Sequence, residues 1–367
     1  MKDRKHSAGH NGSASHVATM RDVANAAGVS TATVSRVLAG HLVVRKSVRD
    51  KVLETIQALN YHPNRVARDL RSGLRKVIGV IIPDLQNPFL TAVVQGVESV
   101  LCQAGYSLVL GNSDGLAKRE QTHLALVRGE GAGGLIIVPS NDPQADYQQL
   151  ASWDIPVVAV DRMPKGLQID LVSTTNYQGA HEATEHLLSH NYKEIAFING
   201  PQEVSVSQER LAGYCNALRS AGIAIRDQLI VHSDFRQPGG RSSMHRLLEL
   251  SRPPRAVLVA NNLMTLGAVQ AIHEQGKNIP DEVAVFGFDE MPWAMSLWPP
   301  LSAVAQPAIE AGRAAAQMLL ERLHDPGRLV RQLVLPTRLV VRSSCGNHGA
   351  VQKESAEIYP SRKGRET

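Results

Sequence analysis

Residues 19–38 read TMRDVANAAGVSTATVSRVL, and the spacing of their apolar positions decides the front of the molecule. Met20, Val23, Ala24 and Ala27 fall on one helical face, and Val34, Val37 and Leu38 fall on another. Thr19 precedes the first run with Asp22 three residues on, a capping-box arrangement in which side chains satisfy the orphan amides of the first turn. Gly28 then permits a tight turn, Val29 plugs the corner and Ser30 caps the next helix. Two short helices at a steep angle follow, as in a helix-turn-helix. A third helix carries Val52, Ile56 and Leu59 on one face. The second helix is the reader. Thr31 and Ala32 face outward at its start, free to enter a major groove, and Arg36 one turn on reaches a guanine with a bidentate fork. Thr33, Ser35 and the helix N-terminal amides suit phosphate oxygens. Thr19 and Ser30, heading the two helices, complete the candidate DNA-binding set in this stretch. Taken alone, the spacing is equally that of an ordinary helical hairpin with a glycine turn.

The next segment separates those readings. Residues 60–76 read NYHPNRVARDLRSGLRK, with Pro63 stopping the third helix and Gly73 loosening the exit. A short basic helix over 64–72 would begin at Asn64 and present Arg65, Arg68 and Arg71 to phosphates. Val66, Ala67 and Leu70 would form its apolar edge, and Leu70 would wedge a base step from the minor groove. At about nine residues such a helix is too short to stand alone and is expected to order on DNA. The formal net charge is only +5, from 39 Lys and Arg against 34 Asp and Glu. The cations nevertheless concentrate toward the front, in Arg36, Arg45, Lys46, Arg49, Lys51, Arg65, Arg68, Arg71, Arg75 and Lys76. That asymmetry suits a chain of which one end meets phosphates.

From Lys76 onward β-branched runs alternate with amphipathic stretches: VIGVII, SLVLG, GLIIVP, VVAV, EIAFI, AVLVA and VAVFGF are each followed by a loop and usually a helix. About eleven strand candidates exceed one comfortable sheet. The predicted fold class is therefore an all-α helix-turn-helix headpiece plus an α/β two-lobed core of doubly wound parallel sheets, hinged near residues 175 and 305. The expected boundaries are a disordered tail over 1–18, the headpiece over 19–62, a linker over 63–75, the core over 76–345 and a second tail over 346–367. Within the core, lobe 1 takes 76–175 and 305–333, and lobe 2 takes 176–304 and 334–345. Asp161, Asn261 and Asp289 stand just after strands, at the carboxyl edges where open α/β sheets bind ligands. Arg210 can reach in from its helix, while Phe89 and Trp293 offer flat faces for a ring. Carboxylates and amides take paired hydroxyls, and arginine takes an oxygen or an acid, so the candidate effector is a sugar or sugar acid rather than a purine.

The stretches TMRDVANAAGVSTATVSRVLAG, ALNYHPNRVARDLRSG and VIGVIIPDLQNPF resemble successive signatures of the LacI/GalR family of lactose and purine repressors. The resemblance continues through IIVPS, VVAVDR, ERLAGY, VLVANNLMTLGA and VAVFGFDE, and spans about residues 19–345. It implies a homodimer with two headpieces, paired hinge helices over a palindromic operator in double-stranded DNA, and a periplasmic-binding-protein-like core whose small-molecule effector changes DNA affinity. By that resemblance Thr31, Ala32 and Arg36 read bases and Leu70 is the wedge. Asp161, Arg210, Asn261 and Asp289 occupy effector positions. One departure is Arg45 and Val48, which stand where the family often has small hydroxyl residues. Another is the tail VQKESAEIYPSRKGRET, which lacks the leucine heptad of tetrameric members and so favours a dimer.

Other chemistries find less support. No apolar run reaches the roughly 18 residues of a membrane span and the polar start lacks a secretory signal, so no membrane role and a cytoplasmic home are expected. Cys102, Cys215 and Cys345 are far apart and in no CxxC spacing. His6, His10 and His16 have nothing to fix their geometry, and His186 and His190 read as surface histidines, so neither metal nor cofactor is expected. Residues 111–115, GNSDG, would suit a nucleophile elbow at Ser113, but no later loop supplies a convincing histidine. The RGEGAGG run at 128–134 precedes a strand instead of following one, the wrong order for a phosphate loop. The chain is therefore not expected to be an enzyme. A sugar-binding protein with no DNA role, of the periplasmic kind, explains the core but not the front 75 residues.

Overall fold

Thr19 opens the first helix through a reciprocal cap: its backbone N–H donates to the Asp22 carboxylate at 2.8 Å and its Oγ1 accepts from the Asp22 N–H at 3.4 Å. The computed structural model describes residues 18–38, 44–61, 76–140, 142 and 144–346. Asn64, Arg65, Ala67, Leu70, the two expected tails beyond Ala18 and Gly346, and the three front histidines lie outside the described residues. Helix α1 (Met20–Ala27) ends at Gly28, whose φ of +67° is the left-handed conformation that glycine adopts without steric cost. Helix α2 (Thr31–Leu38) is capped by Ser30, whose Oγ accepts from the Thr33 N–H at 3.1 Å. Helix α3 (Lys46–Ala58) completes the first unit. Val23, Ala24, Ala27, Val34, Val37, Val52 and Tyr61 form its core. Leu59 departs from expectation: α3 stops at Ala58, leaving Leu59 exposed. Asn60 turns left-handed (φ +46°), the Tyr61 N–H returns to the Ile56 carbonyl at 3.0 Å, and Tyr61 is buried in the core while Leu59 is not.

Residues 76–346 form the second unit, in which apolar strands build two six-stranded sheets. The first lobe runs β1 (Val77–Ile82), α4 (Pro88–Gln103), β2 (Ser107–Asn112), α5 (Ala117–Gly129), β3 (Gly134–Ile137), β4 (Val157–Val160) and β5 (Asp170–Thr174). The second runs α6 (Asn176–Ser189), β6 (Ile195–Asn199), α7 (Ser205–Ser220), β7 (Ile230–His232), α8 (Gln237–Leu248), β8 (Ala256–Val259), α9 (Asn262–Glu274), β9 (Ala284–Phe288) and β10 (Ser302–Ala305). Then α10 (Ala308–His324) and β11 (Gln332–Leu335) return to the first lobe, and β12 (Arg338–Val340) closes the second. The orders are β11-β5-β4-β3-β1-β2 and β12-β10-β9-β8-β6-β7. All pairings are parallel except β12 on β10, an antiparallel edge on a sheet expected to be wholly parallel.

Both orders reverse direction beside the first strand of the lobe, so each sheet has a switch point whose carboxyl end opens a crevice. The chain crosses between lobes at three places. Leu335 pairs with Thr174 in the first sheet and Ala305 pairs with Arg338 in the second. This corrects the expected boundaries: residues 334–335 belong to lobe 1 and Ala305 to lobe 2, because strand pairing and not composition sets the exchange points. The crossings are tied together. Thr174 Oγ1 donates to Gln306, and the Thr337 N–H donates to Thr175 Oγ1 at 2.9 Å.

Candidate functional site

The carboxyl ends of the strands in both lobes converge on one small cavity of about 70 Å³, lined among others by Phe89, Asp161, Arg210, Asn261 and Asp289. A recess of this kind, enclosed by polar side chains and two aromatic rings, suits a small polar ligand. Backbone geometry marks the place independently. Six non-glycine residues among those described have positive φ, and three of them line this cavity: Asp161 (+70°), Phe235 (+64°) and Asp289 (+69°). Left-handed backbone is unfavourable for residues with a Cβ, above all a phenylalanine, and such strain collects where side chains must be aimed.

Arg210 is 3% exposed. Its Nε donates to Asn176 Oδ1 at 2.9 Å, Nη1 donates to the Ala260 carbonyl, and the guanidinium carbon stands 3.8 Å from the centroid of the Phe288 ring. Burial pushes its pKa down while Asp289, Asp161 and Glu209 pull it back up, so the cation is retained by its acidic neighbours. Asp289 shows the mirror image: burial raises its carboxyl, and Arg210 and a hydrogen bond from Gln306 oppose the rise. Gln306 bridges Asp289 to Thr174 and thereby links a cavity carboxylate to the hinge. Asn261 spends its amide locally, accepting from the Met264 N–H at 2.9 Å and donating to the Phe235 carbonyl at 2.8 Å, so it holds Phe235 in its strained turn.

Sequence reasoning missed several lining residues: Asn87, Arg162, Asp234, Phe235, Arg236 and Gln306. Arg162 is 8% exposed and donates to Asp161 and to the Pro139 carbonyl. Its position directly after Asp161 at a strand end was the available signal, while Phe235 and Gln306 carry none without the fold. Trp293 is corrected. It does not line this cavity; half-buried, it packs on the lobe 2 core, because the turn after Met291 directs it at the sheet. A wider recess of about 680 Å³ opens across the hinge, but its Arg342 is already paired with Glu290.

Two further expectations change. Ser113 is fully buried and its hydroxyl donates to the Ile82 carbonyl at 3.4 Å, so no substrate meets it as a nucleophile. His186 and His190 are not surface histidines: both are half-buried, and the His186 ring packs edge-on to Phe286 and touches the Cys345 sulfur at 3.3 Å. Among the described residues no cluster of metal-ligating side chains is present.

In the first unit Thr31, Ala32, Ser35 and Arg36 are exposed on one side of α2 while Val34 and Val37 are buried on the other. Ser30 and Thr33 share a hydroxyl–hydroxyl hydrogen bond of 2.9 Å, and the Thr19 hydroxyl donates to Asp22 at 2.6 Å. These three side chains therefore shape the helix starts, leaving Thr31, Ala32, Ser35 and Arg36 as the outward set.

Residues 19–64 match the lacI family of bacterial regulatory proteins, and residues 184–345 match a periplasmic binding protein-like domain. Over 329 residues the chain is 36% identical to the ribose operon repressor of Haemophilus influenzae, covering 89% of this chain and 98% of that protein. The chain belongs to the lacI family. To the transcriptional repressor PurR of Photobacterium profundum it is 31% identical, with 89% and 98% covered. The lac repressor dimer bound to operator and an anti-inducer superposes with a TM-score of 0.78 at 28% identity, covering 90% of this chain and 99% of that one. This lacI-family chain is thus a DNA-binding transcriptional repressor with a periplasmic-binding-protein-like core of the kind that takes small-molecule effectors. Among its described residues no helix is long and apolar enough to cross a membrane.

Proposed function

We propose that this lacI-family repressor holds a neutral monosaccharide, an aldopentose such as ribose first among them, between its lobes, and that the sugar resets its affinity for a palindromic operator. The observation that carries this reading is the charge balance of the cavity. Asp161 pairs with Arg162, and Arg210 shares the cavity with Asp289 and Asp161, whose charges act on it. In all, four lining acids, Asp84, Asp161, Asp234 and Asp289, meet three arginines, Arg162, Arg210 and Arg236, so an added carboxylate would stand unpaired, which favours a neutral sugar over a sugar acid. Phe89 and Phe235 offer apolar faces for the ring, and carboxylate, guanidinium and Gln306 amide groups surround its hydroxyls. The relative named for the ribose operon agrees with this choice.

On the DNA side Thr31, Ala32 and Arg36 read bases. Ser35, with Thr19, Ser30 and Thr33 at the helix starts, serves the phosphates, and Asn64, Arg65, Ala67 and Leu70 form the minor-groove element. The protein works in the cytoplasm by binding alone and not by catalysis, which the sealed Ser113 supports. Ligand acts through unequal affinity for two arrangements of the lobes. The test is selection of random duplexes at fixed salt, followed by competition with ribose, ribonate and purine bases. A recovered palindrome whose retention shifts with ribose supports the reading, and the direction of shift reports the sign of control. A response to a purine or to ribonate alone overturns the assignment of effector.

A further inference from the structure

We infer that Asp114 and Arg236 form a latch across the mouth of the cleft that sets how far the lobes close on the effector, with Asp114 acting as a positioning residue. Asp114 sits in the turn that follows β2, within the GNSDG stretch of lobe 1, and is not among the residues lining the cavity. Its left-handed backbone (φ +55°) turns the residue toward lobe 2. There Arg236, just before α8, donates through Nη2 to both the Asp114 carboxylate at 2.7 Å and the Asp114 carbonyl at 2.9 Å. Arg119 holds the other carboxylate oxygen at 3.1 Å from within lobe 1. On the Arg236 side, Asp234 accepts from the Arg236 N–H at 2.9 Å and Asp84 adds attraction from lobe 1. The hydrogen bond from Arg236 holds the Asp114 carboxyl below the usual range, so it is ionised at neutral pH.

A second bridge lies deeper, where Asn262 Nδ2 donates at 3.0 Å to Asn87 Oδ1, the same oxygen that caps α4 at the Phe89 N–H. Both contacts join residues of different lobes, so both exist only while the lobes are together. Their free energy counts toward the closed arrangement alone. A ligand held between the lobes then binds more weakly by the fraction of molecules in which the cleft stands open. The two bridges differ in response to salt. Asp114 and Arg236 are 34% and 45% exposed and therefore screened, while the amide pair is uncharged. The latch explains a loop that as a catalytic motif had no use.

The inference rests on the reading that the effector sits in this cleft, and its test separates the two. Ribose binding is measured by calorimetry at low and high salt on the full chain and on Asp114→Asn, Arg236→Gln and the double variant. Asp114→Asn keeps the shape and removes the charge. It is expected to weaken binding about two- to five-fold at low salt, the range of an exposed ion pair. The difference should shrink at high salt, and the double variant should bind no worse than the weaker single one. Wild-type affinity in Asp114→Asn, or additive losses in the double variant, would overturn the latch. If the wild-type chain does not bind ribose, the effector assignment fails, and small-angle scattering of the same proteins decides the latch. A larger radius of gyration in Asp114→Asn supports it, and an unchanged radius overturns it.

Discussion

Arg36 stands exposed on the outer side of α2, one turn beyond Thr31 and Ala32, and the base-reading role proposed for its guanidinium fork makes a prediction of its own. Arg36→Ala should relax base preference at one operator position at a cost of about 1–3 kcal/mol, read by competition with single-base operator variants. Equal loss on every duplex would instead make Arg36 a phosphate contact. Glu120 presents a different kind of residue-level problem. It is fully buried behind the cleft wall, accepting the Ser140 N–H at 2.7 Å with the Tyr147 hydroxyl and the Arg162 charge nearby. Burial raises its pKa above the ordinary 4.5, more than its hydrogen bonds lower it. The folded chain therefore binds this proton more tightly than the unfolded one, and its contribution to stability is largest below the unfolded value and falls as pH climbs toward the raised one. In Glu120→Gln that part of the pH dependence should vanish, so melting temperatures of variant and wild type should converge on acidification and separate toward neutral pH. Parallel profiles would show that Glu120 does not titrate in this range.

At the scale of elements, the first lobe depends on how closely α4 and α10 approach. A Cβ added at Gly96 would press into the Ile309 carbonyl, and one at Gly312 into the Val93 carbonyl. The two glycines face each other's helix, and neither backbone can move without the other. Gly96→Ala and Gly312→Ala should each cost about 1–3 kcal/mol by forcing the helices apart, with the pair less than additive, as measured by urea midpoints. Full additivity would mean that the two sites relax independently. The helices of the headpiece were legible because a period of 3.6 residues and strong caps agree over short distances, and Thr19 with Asp22 is a wholly local device. Leu59 fails that reasoning since Asn60 turns the chain out of the helix just after it.

For the whole molecule, effector binding is linkage between a ligand and one of two units. Ribose at about 100 times its Kd should stabilise the core by about 2.7 kcal/mol, and so raise its melting temperature by roughly 5–10 °C. Scanning calorimetry should show this in the core transition and not in that of the small headpiece. Arg210→Ala should abolish the shift, because the buried Asp289 and Asp161 would lose the nearby positive charge that offsets their own. A persistent shift in that variant would place the sugar elsewhere.

The order of helices and β-branched strands, the division into headpiece and two-lobed core, and the position of Asp161, Asn261 and Asp289 at strand ends were all in the sequence, because each follows from local periodicity and from where a strand must stop. Tertiary structure decided the rest. Leu335 and Ala305 took their lobes from strand pairing across more than thirty intervening residues, which no composition reports. Phe235, Arg162 and Gln306 entered the cleft, and Trp293 left it, according to turns whose direction depends on packing. The same dependence turned GNSDG from an apparent nucleophile loop into one side of a contact between lobes: Ser113 and Asp114 are neighbours in the chain, but one faces the core and the other faces Arg236. Local chemistry sets what a residue can do, and only the folded chain sets what it is pointed at.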